Sequence, residues 1–210
     1  MTGLHEMDTE QLLGRVAAGD DAARGPLLQR HRQRLRHMIA VRLDPQVRAR
    51  VDPSDVVQES LAEADRKLSD YARRRPVPFY PWLRSLAWER LVHLHRRHIR
   101  AQRRSVRREQ AAPPLPDNSL AELAQRLAGA GSAPSARMRR AELRDLLQAA
   151  LARLSADDRE VLVLRYLEDL ATKEIAAVLR VKESAVRMRQ LRALQRLRDL
   201  LGDDVAEELS

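Results

Sequence analysis

Residues 154–197 read LSADDREVLVLRYLEDLATKEIAAVLRVKESAVRMRQLRALQRL, and the fold follows from how this stretch divides. It predicts three short helical segments, the last two joined by a very tight turn. Ser155, with Asp158 three residues on, opens the first. A hydroxyl oxygen accepts from the orphan amides of a helix start, and the helix dipole favours a carboxylate there. Val161, Leu162, Leu164 and Leu167 then supply a buried face, and the second segment turns Ile175, Ala176 and Leu179 inward. Ala176 is small where two helices cross at close range. Val181 plugs the turn, and Val186 begins the inward stripe of the third segment. The pattern is a helix-turn-helix, whose third segment would lie in the DNA major groove.

Helical spacing splits that third segment into faces. Val186, Gln190, Ala193, Leu194, Leu197 and Leu201 share the stripe expected to pack on the other two helices. Ser184, Arg187, Met188, Leu191 and Arg192 share another, left to face DNA. A guanidinium there can fork onto guanine O6 and N7 or onto a phosphate. The plainer reading is a solvated, arginine-rich helix on a three-helix bundle. The tight turn and the phased arginines, occurring together, favour DNA.

The stretch resembles region four of the sigma-70 family of bacterial transcription initiation factors, especially the short extracytoplasmic-function (ECF) type. The resemblance rests on Leu154, Arg159-Glu160-Val161-Leu162, Leu164-Arg165-Tyr166, Glu174-Ile175-Ala176, Leu179, Val186, Arg189, Arg192-Ala193 and Leu197. Two positions depart from it. The family usually has glycine at the turn where this chain has Arg180, and a serine or threonine cap where it has Lys182. A side chain at a left-handed turn position costs about 1 kcal/mol, which a fold tolerates. Ser184 is placed to take over the cap. The resemblance implies that Ser184, Arg187, Met188, Leu191 and Arg192 bind the upstream, minus-35 promoter element.

Composition agrees with a polyanionic partner. Among 210 residues, Lys plus Arg is 39 against 30 for Asp plus Glu, a formal net charge of +9, and the excess is mostly arginine. With no Cys there is neither a disulfide frame nor a thiolate metal site, which suits the cytoplasm. No apolar run approaches membrane-spanning length, and the start MTGLHEMDTEQ does not read as a signal peptide. Few Gly and few strand-forming aromatics, beside abundant Ala, Leu, Arg and Glu, predict an all-α chain.

From Gln110 to Ser135 the composition changes, with Pro113, Pro114, Pro116, Gly129, Gly131 and Pro134 in quick succession. These breakers mark a flexible linker. Within it Ser119 and Glu122 form a capping-box pattern ahead of Leu120, Leu123 and Leu127, so a short helix is expected there. The chain thus reads as two small helical domains, 1–109 and 136–210, joined by a linker at 110–135.

The first domain opens on Leu12, Leu13, Val16 and Ala17, stops at Gly19-Asp20-Asp21, and resumes with Leu27, Leu28, Leu35, Met38 and Ile39. Asp52-Pro53 then starts a helix with a capping carboxylate and a proline in its first turn. Its inward stripe is Val57, Leu61, Ala64 and Leu68; its outward stripe, Asp55, Gln58, Glu59 and Ala62, is partly acidic in a basic chain. Such a face is usually only solvated. Asp55-Val56-Val57-Gln58-Glu59, however, resembles the DLVQE signature of sigma region two, which docks on the clamp helices of the polymerase largest subunit. By that resemblance Asp55, Gln58 and Glu59 are polymerase-binding.

Downstream, Pro76, Pro78 and Pro81 stiffen a loop that ends in Phe79, Tyr80 and Trp82, three of only six aromatics. Leu83, Leu86, Ala87, Leu91 and Leu94 give the buried stripe of a long helix, while Glu89, His93, Arg96, Arg100, Arg103 and Arg107 step along another. Aromatics beside a cationic helix suit DNA opening, because unpaired bases need π-faces and separated strands need neutralisation. Phe79 and Trp82, each taken singly, read equally well as core. Pro78-Phe79-Tyr80-Pro81-Trp82-Leu83 and Leu86-Ala87 resemble the family region that recognises the minus-10 element and captures a flipped base. The resemblance assigns Phe79, Tyr80, Trp82, Glu89, His93, Arg96 and Arg100 to that downstream element and its melting. Glu89 stands where the family often has asparagine, and its carboxylate is an acceptor for a cytosine amine.

His93, His95 and His98 lack the spacing of a metal site and read instead as protonatable side chains facing DNA. No phosphate-binding glycine loop, nucleophile elbow or facing carboxylate pair suggests an enzyme. Neither a cofactor nor a metal is expected. The serious rival is a stand-alone helix-turn-helix regulator, but the first domain shows no alternation of strands and helices around an acidic phosphoacceptor cluster. The expectation is a two-domain sigma factor that gives RNA polymerase core enzyme its promoter specificity and helps melt promoter DNA. An anti-sigma factor is a further partner that the family allows; a membrane is not.

Overall fold

The computed structural model describes residues 3–4, 6–102, 115–128 and 145–208. The chain divides into two compact units, Met1–Pro114 and Leu115–Ser210, and among the described residues there are helices and no strand.

In the first unit α1 (Thr9–Ala17), α2 (Arg24–Arg42), α4 (Pro53–Arg74) and α5 (Phe79–Gln102) surround one core, with the short α3 (Pro45–Arg48) against α5. Local chemistry sets their ends. Asp8 accepts the Gln11 N–H at 2.8 Å while the Gln11 side chain accepts the Asp8 N–H at 2.9 Å, a capping box that opens α1. Gly19, at φ +87, turns the chain toward the 3-10 turn Asp21–Ala23 and α2. Asp52 accepts the Ser54 N–H at 2.7 Å ahead of Pro53, and α4 ends on left-handed Arg75.

Leu12, Leu27, Leu35, Met38, Leu68, Leu83 and Leu91 lie wholly inside this unit. The inward stripe of α4 is buried and is wider than its spacing predicts. Val56, Ser60, Tyr71 and Ala72 join it, and the Ser60 hydroxyl donates to the Val56 carbonyl at 2.6 Å. Arg24 ties α2 to α4 through Asp65 and Ser69, each at 3.0 Å.

The second unit holds α6 (Asp117–Ala128), α7 (145–153), α8 (Ala156–Leu162), α9 (Thr172–Leu179) and α10 (Glu183–Glu208). Beyond Leu162, α8 widens into a π turn, Val163–Leu167, where Val163, Leu164 and Leu167 are all buried. Within the stretch 110–135, α6 packs on that turn through Leu120, Leu123 and Ala124, and Arg126 donates to the Tyr166 carbonyl at 2.7 Å. The Ser119–Glu122 pattern is not its cap. The helix starts at Asp117, Ser119 is buried inside it, and Glu122 pairs with Arg126 at 3.0 Å.

Tyr71 closes the first unit by donating to the Val77 carbonyl at 2.7 Å. Burial, helped by Glu10, pushes its phenol up from 10.0 to about 12. A group raised in the folded state contributes stability that is complete below its unfolded value and is lost as pH rises through its folded one. The melting temperature of the first unit should therefore fall between pH 10 and pH 12, and Tyr71→Phe should flatten that fall. Circular-dichroism melts across this window check it; equal slopes for the two chains would contradict it.

Candidate nucleic-acid interface

Only Arg180, Val181 and Lys182 separate α9 from α10. Arg180 is left-handed (φ 55, ψ 42), and its N–H, like that of Val181 at 3.0 Å, donates to the Ala176 carbonyl. Two donors on one carbonyl close the turn despite the missing glycine. Glu174 accepts the Ala171 N–H at 2.9 Å and so holds the start of α9. Ser184 does not take over the cap of α10. It lies one residue inside the helix, and the capping place falls to Lys182, whose carbonyl accepts the Val186 N–H at 3.1 Å.

α10 rests on α8 and α9 through Val186, Ala193 and Leu197, all buried. Gln190, Leu194 and Leu201 are half-buried at the edge of this seam, with Gln190 donating to the Tyr166 hydroxyl at 3.3 Å. Ser184, Arg187, Met188, Leu191 and Arg192 all lie exposed on the outer side. Arg187 reaches back to Glu183 at 3.3 Å. Sequence spacing does not show the ion pairs that pin this helix. Asp158 is buried and takes the Arg196 guanidinium, and Arg189 meets Asp157 at 3.6 Å. The available signal was Arg196 itself, three residues past buried Ala193 on the edge of the inward stripe.

In the first unit Asp55, Gln58 and Glu59 are exposed along one side of α4. Glu59 is held by Arg90 of α5 at 2.5 Å, and Arg90 also faces Glu63 at 3.8 Å. With its amide oxygen turned toward Arg32, Gln58 accepts from that guanidinium at 2.9 and 3.2 Å. The side chain of Lys67, hydrogen-bonded to Glu63, holds that carboxyl below its ordinary value.

Phe79 and Tyr80, both assigned by the resemblance to melting of the downstream element, are buried. Tyr80 lies between the His31 ring, 5.9 Å away, and the Arg34 guanidinium, 3.8 Å from its centroid; its hydroxyl donates to the Arg34 carbonyl at 3.2 Å. Phe79 packs between His31 at 5.1 Å and Tyr71 at 5.5 Å. Of the three, Trp82 is half-exposed, stacked on Tyr71 at 4.3 Å and 24°. Glu89, His93 and Arg96 are exposed on α5, and the side chain of Arg100 lies outside the described residues. His95 does not face DNA. It is buried, with Nδ1 on the Leu91 carbonyl at 3.0 Å and Nε2 accepting the Asp44 N–H at 3.4 Å.

Residues 150–199 match the family model for sigma-70, region 4. The ECF RNA polymerase sigma-E factor of Salmonella typhimurium is 31% identical over 195 residues, covering 90% of this chain and 93% of that protein. The ECF RNA polymerase sigma factor SigM of Mycobacterium tuberculosis is 29% identical over 200 residues, covering 95% and 88%. A solved structure of CnrH in complex with the cytosolic domain of CnrY superposes with a TM-score of 0.51 at 26% identity, covering 94% of this chain and 99% of that one.

The pairing of α10 to α8 is open to direct test. Asp158→Ala removes a buried charged acceptor and should cost the second unit about 1.5–3 kcal/mol in denaturant unfolding. The same change at exposed Asp157 should cost at most about 1 kcal/mol. Equal losses would mean that burial of Asp158 contributes nothing.

Proposed function

The chain belongs to the ECF sigma factors of the sigma-70 family and acts in transcription initiation, and on that premise we propose that its two units divide promoter recognition between them. In the second unit α10 enters the major groove at the minus-35 element, presenting Ser184, Arg187, Met188, Leu191 and Arg192. The observation that carries this is the asymmetry of α10. One edge is buried, and the opposite side presents arginines that have no packing role.

In the first unit Asp55, Gln58 and Glu59 of α4 dock on the polymerase core, and α5 handles the minus-10 element. There Trp82 offers the stacking face, supported from beneath by Tyr71, while buried Phe79 and Tyr80 anchor the first turn of α5, which presents it. His93 and Arg96 neutralise phosphate beside it, with Arg100 continuing the stripe, and Glu89 accepts from a base amine. Work on polymerase and promoter places the protein in the cytoplasm, with no covalent step of its own. CnrH is bound by the cytosolic domain of CnrY, which supports a protein partner, an anti-sigma factor, for this chain. A stand-alone helix-turn-helix regulator is not favoured, because similarity to the ECF factors runs through both units.

Arg187→Ala or Arg192→Ala should cost about 1–3 kcal/mol of promoter affinity, with relaxed preference at one or two positions of the upstream element. Equal loss on every sequence would assign a phosphate contact instead, and no loss would remove the residue from the interface. Charge reversal at Asp55 and Glu59 should weaken co-purification with core polymerase while the melting curve barely moves, since an exposed pair such as Glu59–Arg90 is worth about 1 kcal/mol or less. Unchanged co-purification would make this a solvated face.

Trp82→Ala should slow opening of a duplex promoter, followed by permanganate reactivity of unpaired thymines, and a pre-opened bubble should restore the rate. Phe79→Ala should instead cost about 3–5 kcal/mol of folding stability. If Trp82→Ala opens duplex DNA at the wild-type rate, stacking at that position is wrong.

A further inference from the structure

Three large apolar side chains are exposed among the described residues, and two of them, Met188 at 48% and Leu191 at 49%, stand together on α10. They are three residues apart, so they lie on one side of the helix, between Arg187 and Arg192. Packing does not explain them. The seam of α10 is made by Val186, Ala193 and Leu197, which are all buried, and neither Met188 nor Leu191 belongs to it. A protein partner suits them poorly. Two half-exposed side chains bounded by arginines fall far short of the roughly 800 Å² per partner of a stable interface.

We infer that Met188 and Leu191 read the 5-methyl groups of thymines in the upstream element. This rests on the proposed entry of α10 into the major groove. The floor of that groove is lined with hydrogen-bonding edges, and its apolar feature is the thymine methyl. Three residues of helix advance about 4.5 Å, against about 3.4 Å per base step, so the two side chains meet methyls on neighbouring base pairs. Arg187 and Arg192 then contact guanine edges or phosphates on either side. The apolar pair supplies discrimination that arginine cannot, because a guanidinium is not drawn to a methyl group.

The test uses core polymerase reconstituted with the full chain, on a promoter selected from a randomised library. Each thymine of the upstream element is replaced singly by deoxyuridine, which removes the methyl and leaves base pairing intact. At one or two neighbouring positions the Kd should rise about fourfold, the worth of one buried methyl. A chain carrying Met188→Ala and Leu191→Ala should bind the thymine and uracil promoters equally. If every position tolerates uracil while Arg187→Ala still weakens binding, the methyl reading is wrong and groove entry stands. If Arg187→Ala is silent as well, groove entry itself fails. Should the double alanine chain lose core association rather than the thymine preference, the patch is a protein contact and the inference is overturned.

Discussion

A chain with 39 basic side chains against 30 acidic ones can pack its helices only if most arginines are either taken up by acids or turned outward. The fold sorts them in that way. Arg24 to Asp65, Arg75 to Glu10 and Arg90 to Glu59 cross between helices of the first unit, and Arg189 to Asp157 and Arg196 to Asp158 do so in the second. Apart from the one that takes the buried Asp158, such exposed pairs each add about 1 kcal/mol or less, so the apolar seams hold most of the fold. What the pairs decide is where free positive charge remains. On α10, Arg189 and Arg196 are turned toward α8, while Arg187 is tied only within its own helix and Arg192 makes no ion pair among the described residues.

The narrowness of the α10 seam matters for the same reason. A helix with its side chains is about 10–12 Å across, and the major groove is about 12 Å wide. A helix that is to enter that groove, as proposed for α10, must therefore stand proud of its support, attached along one edge. Val186, Ala193 and Leu197 make that edge, with the buried Asp158 carboxylate beside it as an anchor. Three connecting residues and two N–H donors on the Ala176 carbonyl then set the angle between α9 and α10. The first unit solves a different problem. Its half-exposed Trp82 is backed by Tyr71, whose hydroxyl is bonded to the Val77 carbonyl, so the aromatic face is preorganised.

Helix positions were largely legible from spacing, because period and capping are local properties. Asp52-Pro53, Ser155 and the Gly19 turn each act within a few residues of themselves. What spacing could not show is long-range. The π turn at Val163–Leu167 leaves no periodic mark in a short apolar run, and the burial of Asp158 depends on an arginine 38 residues away. Phe79 and Trp82 each read equally as open or buried and Tyr80 reads as a stacking face, since neighbouring aromatics cannot all share a face and only His31 and Arg34 of α2 decide which go inside. Ser119 and Ser184 both have the local pattern of caps, yet each helix starts one or two residues earlier, at Asp117 and Glu183. His95 likewise took its place from the backbone amide of Asp44, just past the end of α2 and 51 residues away. The exposed face of α10 was legible because three of its five residues, Ser184, Arg187 and Arg192, are polar or charged.

If the two units act together on polymerase and promoter, run-off transcription from a randomised promoter library, with core polymerase alone, the chain alone, and the two combined, will give transcripts from the combination only, starting from templates that share two separated elements. If the chain instead binds one element by itself, and adding it to core polymerase starts no transcript, then the helix-turn-helix serves a stand-alone regulator and the two units do not act together on the polymerase.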